Sequence, residues 1–221
     1  MAITDRKQRE KEQRRNSILI AAEKLFYAKG YDNVSMEEIA QEAELSKGAL
    51  YFYFKKKDSL FFAIVARKNA EITQLMKERL NGLATGGEKL RTIVQCYVDF
   101  ARKNPGYNDM ARIFGPVIWS RMDDEDEKTL IENSINYMAL LSGAITEGME
   151  DGTIRKDLDP ALIGSYITII SMSVVSPLPA WRKAFELQGI SFDEFLENFS
   201  RFIDPAIDKC LEDYGESIEH Q

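Results

Sequence analysis

A chain of 221 residues with 44% hydrophobic and 29% charged side chains has the composition of a folded globular protein, outside the disordered and membrane classes. Its longest apolar run, Ala161 to Val175, is interrupted by Ser165, Thr168, Ser171 and Ser173 and falls short of the roughly 20 apolar residues of a membrane span. The net charge of −7 is unevenly spread: up to Lys57 there are 12 Lys/Arg against 9 Asp/Glu, whereas the remainder holds 17 against 27. An acidic total would argue against nucleic acid, but phosphate attraction acts over a Debye length of about 8–10 Å, so a locally basic head matters more than the sum.

The start of the chain is charged and lacks the apolar stretch of a secretory signal, so a cytoplasmic protein with no membrane partner is expected. Arg6, Lys7, Arg9, Lys11, Arg14 and Arg15 form a basic tail partly cancelled by Asp5, Glu10 and Glu12. It reads as a disordered segment, with reach along the DNA backbone or minor groove as the other reading.

From Asn16 to Lys29, Ile18, Leu19, Ala22, Leu25 and Phe26 follow the spacing of an amphipathic helix, closed by Gly30. Ser35 followed by Glu38 fits a capping box that opens a second helix with Met36, Ile39, Ala40 and Ala43 on one face. Ser46 can cap a third, Lys47 to Phe54, within a few residues. After the lysine corner 55–57, Leu60, Phe61, Ile64 and Val65 start a long helix to about Leu80, and Gly82, Gly86 and Gly87 mark a loop. Further helices are expected over Glu88–Asn104, Asn108–Arg121, Glu125–Glu150, Pro160–Val175 and Phe192–Tyr214, with a break at Pro177/Pro179. No run alternates as a strand does, so the fold class is all-α. Cys96 and Cys210 sit inside helical patterns and make neither a disulfide framework nor a metal site; both are expected to be small core residues.

Two short helices joined by a tight turn make a helix-turn-helix, whose second helix can enter the major groove of duplex DNA. Lys47 to Tyr53 would be that reader. The stretch Leu45-Ser46-Lys47-Gly48-Ala49-Leu50-Tyr51-Phe52-Tyr53-Phe54-Lys55, with Lys57, Asp58 and Leu60 after it, resembles the signature of the TetR/AcrR family of transcriptional regulators. So do Ala21-Ala22, Leu25-Phe26, Gly30-Tyr31, Val34-Ser35-Met36 and Ile39-Ala40 upstream, in order and register over roughly Ile18 to Leu60. The stretch Gly148 to Pro160 is similar to the family's turn before its dimerisation helices.

The resemblance implies a DNA-binding domain over residues 1–57 and a helical effector-binding and dimerisation domain over 58–221. It implies operator DNA, a small, largely apolar effector and a second copy of the chain as partners, and repression as the default. Ser35 and Ser46 lie at helix starts, where hydroxyls and free amides can meet phosphate as well as cap. Lys47 and Ala49 could touch base edges, Ala49 through a thymine methyl, and Gly48 allows close backbone approach. Tyr51 and Tyr53 match positions where the family sends hydroxyls to phosphates, with core packing the other reading for Tyr51; Phe54 should be core. Lys57 matches a phosphate-binding lysine.

Ile163, Ile167, Ile170, Phe195, Phe199, Phe202 and Ile203 would supply either a dimer surface or intramolecular core. Tyr97, Phe100, Met110, Phe114, Trp119, Tyr137, Met138 and Trp181 are the expected effector lining, with plain core as their other role. No cofactor or metal is expected. The alternatives are an all-helical enzyme or a protein-only adaptor. Against the enzyme stands the lack of a phosphate loop or nucleophile motif, with the lone His220 near the end of the chain.

Overall fold

The computed structural model describes residues 2–208; Cys210, His220 and the end of the helix expected to reach Tyr214 lie outside them. The described residues are all-α: α1 (Ala2–Lys29), α2 (Met36–Glu42), α3 (Lys47–Tyr53), α4 (Lys57–Leu80), α5 (Gly86–Lys103), α6 (Pro105–Trp119), α7 (Asp124–Asp151), α8 (Pro160–Val175), α9 (Pro179–Leu187) and α10 (Phe192–Ile207). Among them strand-like pairing is confined to an isolated bridge, Ile154 to Asp208. Two compact units result, Met1–Asn69 with Pro105–Ser134, and Ala70–Asn104 with Ile135–Gln221.

In the first unit, Ile18, Leu25 and Phe26 of α1, Ile39 of α2, Leu50 of α3, Leu60, Phe61 and Ile64 of α4, and Met110 and Ile118 of α6 are buried together. Gly30, at φ +79°, ends α1 with its amide on the Phe26 carbonyl at 3.0 Å. The first unit thus includes α6: a Cβ on Gly106 would stand 2.8 Å from the Tyr27 ring, and the Phe114 ring lies 5.8 Å from that of Tyr31.

Four boundaries differ from expectation. The tail read as disordered is helix, since α1 begins at Ala2. Helix α5 begins at Gly86, because Thr85 and Glu88 form a capping box with both hydrogen bonds present. Helix α6 begins at Pro105 and α9 at Pro179, each proline taking an early position where its missing amide costs no hydrogen bond.

The second unit packs Leu90, Ile93 and Val94 of α5, Leu141 and Ile145 of α7, Ile163 and Ile167 of α8, and Leu196, Phe199 and Ile203 of α10. Cys96 is buried there, as expected. Of the residues named for a dimer surface, Ile163, Ile167, Phe199 and Ile203 therefore serve this intramolecular core, while Ile170 and Phe202 are exposed. The exposed stripe of α8 is Leu162, Tyr166 and Ile169, spaced four and three residues apart. The turn after α7 caps α5: the Gly86 amide donates to Asp151 Oδ2 at 2.7 Å and the Gly87 amide to Thr153 Oγ1 at 2.9 Å.

Candidate nucleic-acid interface

Helices α2 and α3 are joined by Ala43, Glu44 and Leu45. Glu44 adopts φ +56°, the left-handed position usually given to glycine, and the Leu45 amide closes the turn on the Ala40 carbonyl at 2.8 Å. Ser35 caps α2: its hydroxyl accepts from the Glu38 amide at 3.2 Å while its own amide donates to Glu38 Oε2 at 2.9 Å. Lys29 holds that carboxylate at 2.7 Å, and with the Ser35 contacts lowers its pKa from 4.5 to about 2. The folded value lies below the unfolded one, so the contribution is complete above about pH 4.5 and is lost as pH falls toward 2. Protection of the Glu38 amide, its exchange rate relative to the intrinsic rate at the same pH, is expected to fall through that window, and in Glu38→Gln to be low without the pH step.

Ser46 caps α3, accepting from the Ala49 amide at 3.2 Å. Leu50 is wholly buried and Phe54, as expected, is core. At about 100° per residue the face opposite Leu50 is that of Gly48 and Phe52. Phe52 is 68% exposed, and a Cβ on Gly48 would have nothing within 4 Å. Sequence reasoning did not single out Phe52; its spacing from Leu50 was the available signal. An exposed phenyl ring on this face can meet a thymine methyl. Gly48→Ala is expected to raise Tm by about 2–4 °C, because alanine stabilises a helix by up to about 1 kcal/mol over glycine. It is also expected to weaken duplex binding in an anisotropy titration, because the methyl group stands where the backbone would approach DNA.

Lys47 is exposed, with its ammonium on the Glu37 carboxylate and 6.0 Å from the Tyr51 ring; the pair raises the Lys47 pKa and lowers that of Glu37. Ala49, Tyr51 and Tyr53 are half-buried, the two tyrosines packing against the core, and the Tyr53 ring stands edge-on to Phe52 at 5.3 Å. Lys57 is turned inward. Its ammonium donates to the carbonyls of Tyr31 at 2.8 Å and Val34 at 2.9 Å and lies 4.3 Å from the Tyr31 ring centre. Burial lowers its pKa and raises that of the Tyr31 hydroxyl, which donates to Asp58. Lys57 thus ties α4 to the loop that presents α2. Lys57→Met should cost about 3 kcal/mol, since hydrogen bonds to a charged group contribute about 1.5–3 kcal/mol each and Lys57 makes two. A thermal melt reads that loss, and a simultaneous fall of about one unit in the DNA salt slope would mark a phosphate contact as well.

The eight residues expected to line an effector site fall in both units. Met110 is buried in the first unit, where Phe114 packs on the core and Trp119, 45% exposed, has its ring 5.8 Å from Phe62. In the second, Tyr97 and Phe100 pack on the core, and Tyr137 places its hydroxyl 3.4 Å from Thr168 Oγ1, with its pKa raised by burial. Met138 and Trp181 are exposed. An open cleft of about 620 Å³ lies among α4, α5 and α7 of the second unit, bordered by Lys77, Leu140 and Gly143, and none of the eight lines it.

A capped pair of short helices on a helical core, the second with an exposed face free of carboxylates, defines a helix-turn-helix DNA-binding protein. Residues 18–64 match the model of the bacterial regulatory proteins, tetR family. The chain is 25% identical over 155 residues to the fatty acid metabolism regulator protein of Bacillus subtilis, covering 68% of this chain and 75% of that one. It is 32% identical over 90 residues to the HTH-type transcriptional activator FasR of Mycolicibacterium smegmatis, 41% of each chain. The solved structure of FadR from Bacillus subtilis in complex with stearoyl-CoA superposes with a TM-score of 0.64 at 22% identity, over 82% of this chain and 95% of that one. Residues 18–64 thus form a DNA-binding domain similar to that of the tetR family, and the chain is a DNA-binding transcriptional regulator.

Proposed function

We propose that the chain is a cytoplasmic, homodimeric repressor that binds a palindromic operator through paired α3 helices and leaves it when a small apolar effector binds. The observation that carries this reading is the outward face of α3, where Gly48 and Phe52 stand opposite buried Leu50 with Lys47 and Ala49 on either side. Residues 1–57 act as the DNA-binding part and 58–221 as the part that binds effector and partner copy. Ser35, Ser46, Tyr51 and Tyr53 position the duplex, Lys57 acts through the loop it holds before α2, and Lys47, Ala49 and Phe52 read the bases.

The stripe Leu162, Tyr166 and Ile169 of α8, with Phe202 of α10 at 82% exposure, is the surface offered to a second copy. Two copies double a reading site that one helix limits to a few base pairs. The aromatic set Tyr97, Phe100 and Tyr137 suits an apolar ligand, and the likeness to a fatty acid metabolism regulator and to a structure holding stearoyl-CoA makes a long-chain acyl-CoA the effector class to test. A coupling of about 1–3 kcal/mol between effector and DNA changes operator affinity roughly 5–150-fold.

The experiment is selection of bound fragments from random DNA at stated salt, followed by titration of the recovered duplex complex with stearoyl-CoA. A palindrome with half-sites about 34–36 Å apart, released by the thioester, supports the reading. Sites without two-fold symmetry overturn the dimer, and a complex indifferent to stearoyl-CoA overturns the effector class.

A further inference from the structure

The electrostatic attraction of the reading head does not come from the reading helix. Residues 16–57, which contain all of α2 and α3, carry six Lys/Arg and six Asp/Glu, so the whole excess of positive charge lies in residues 1–15, with six basic against three acidic. Of the six lysines around the helix-turn-helix, Lys55 alone is exposed outside every ion pair among the described residues; the other five are engaged, Lys24 with Glu42, Lys29 with Glu38, Lys47 with Glu37, Lys56 with Asp123 and Asp126, and Lys57 with two carbonyls.

Because α1 runs unbroken from Ala2, the cations of that first segment have fixed bearings. At about 100° per residue, Lys7, Lys11, Arg14 and Arg15 all fall within about 60° of Ile18. They continue the stripe that Ile18, Ala22 and Leu25 bury against the first core. Glu10 and Glu12 fall about 80° or more away, and Arg6, on a different face, pairs with Glu10 at 2.7 Å. The inner end of the stripe is anchored: the Arg15 guanidinium lies 5.1 Å from the centre of the Phe54 ring, and Phe54 is the C-cap of α3. From there Arg14, Lys11 and Lys7 lead outward, exposed and, among the described residues, outside every ion pair. Seven residues at about 1.5 Å each span about 10 Å, long enough to meet two or three successive phosphates.

We propose that Lys7, Lys11, Arg14 and Arg15 form a helical cationic rail that grips the backbone of duplex DNA beside the base pairs read by α3, and that this rail supplies most of the sequence-independent affinity. The inference rests on the DNA-binding function and divides it between two parts of the first unit, α3 for base recognition and the start of α1 for grip.

The test measures anisotropy of a labelled random-sequence duplex of about three helical turns against salt, using the full chain. Each lost phosphate contact lowers the salt slope by about 0.9. The triple variant Lys7→Ala/Lys11→Ala/Arg14→Ala should therefore lose about 2.7 units per bound protomer, which shrinks the affinity drop between about 50 and 200 mM salt roughly 40-fold. Alanine is the best helix former, so helicity by circular dichroism should be retained. Lys11→Ala alone should lose about one unit and Arg6→Ala, of equal charge on another face, none. An unchanged slope in the triple variant overturns the rail. So do equal losses for Lys11→Ala and Arg6→Ala, which would mark net charge rather than contact. Phe52→Ala should keep the slope and lose sequence preference; a wild-type chain with no salt-dependent binding would sink the DNA-binding reading along with the rail.

Discussion

Gly86→Ala is expected to lower the stability of the second unit by at least about 3 kcal/mol, a fall in Tm of about 6–12 °C, and to be the most damaging single methyl group added to a described glycine. A Cβ at this position would stand 1.9 Å from the Gly148 nitrogen, 2.4 Å from its Cα and 2.5 Å from the Ala144 carbonyl oxygen. These are backbone atoms of α7, which cannot rotate away as a side chain does. Relief requires α5 to withdraw from α7, and that movement breaks the two bonds by which Asp151 and Thr153 cap the first amides of α5. Gly148→Ala should cost less, because the nearest atom is the flexible end of Ile154. Gly143→Ala, with nothing within 4 Å, should melt at or slightly above the parent temperature. Circular dichroism melts of the three variants check the order; a Gly86→Ala chain as stable as its parent would show that α5 and α7 do not approach here.

The same region shows why some of the fold was legible and some was not. Periodicity finds helices that bury a stripe, and the three helices of the reading head were readable because Ile18, Ile39 and Leu50 each anchor one, with Ser35 and Ser46 as caps. It finds nothing in residues 2–15, where a helix carries no apolar stripe, or in α9, which has no buried residue. Gly86 and Gly87 read as loop, yet glycine is also the residue that lets two backbones meet, and the overlooked sign was the spacing of Thr85 and Glu88. The left-handed Glu44 left no trace in the sequence, since its conformation is normally glycine's. At the site, residue types gave the caps and the outward position of Lys47. They could not give the direction of Lys57, because two backbone carbonyls compete with phosphate for its ammonium and only the folded loop brings them within reach.

Glu23→Ala is the second change expected to act strongly. Its carboxylate, 15% exposed, bonds the Arg67 guanidinium and lies 3.1 Å from the Lys68 ammonium, whose side chains are 19% and 10% exposed; it also accepts from the Tyr27 hydroxyl at 2.9 Å. Removing the carboxylate they share takes one anion from two cations in a largely dry place, and breaking a buried pair in this way costs up to about 3–5 kcal/mol, more than the pair itself contributes. Arg67 also reaches Asn16 Oδ1 at 3.0 Å, so the network joins α4 to the turn of α1 beside Arg14 and Arg15. Loss of stability should therefore be accompanied by weaker binding of duplex DNA, because the rail and α3 keep their relative bearing only while α1 is held. Glu23→Gln, which retains an acceptor for Tyr27 and loses only the charge, should fall between the two in both urea denaturation and anisotropy. If Glu23→Ala and Glu23→Gln proved equal in stability, the hydrogen bond to Tyr27 would carry nothing and the effect would be purely that of the lost negative charge. If both matched the parent, α1 would be held by its apolar stripe alone.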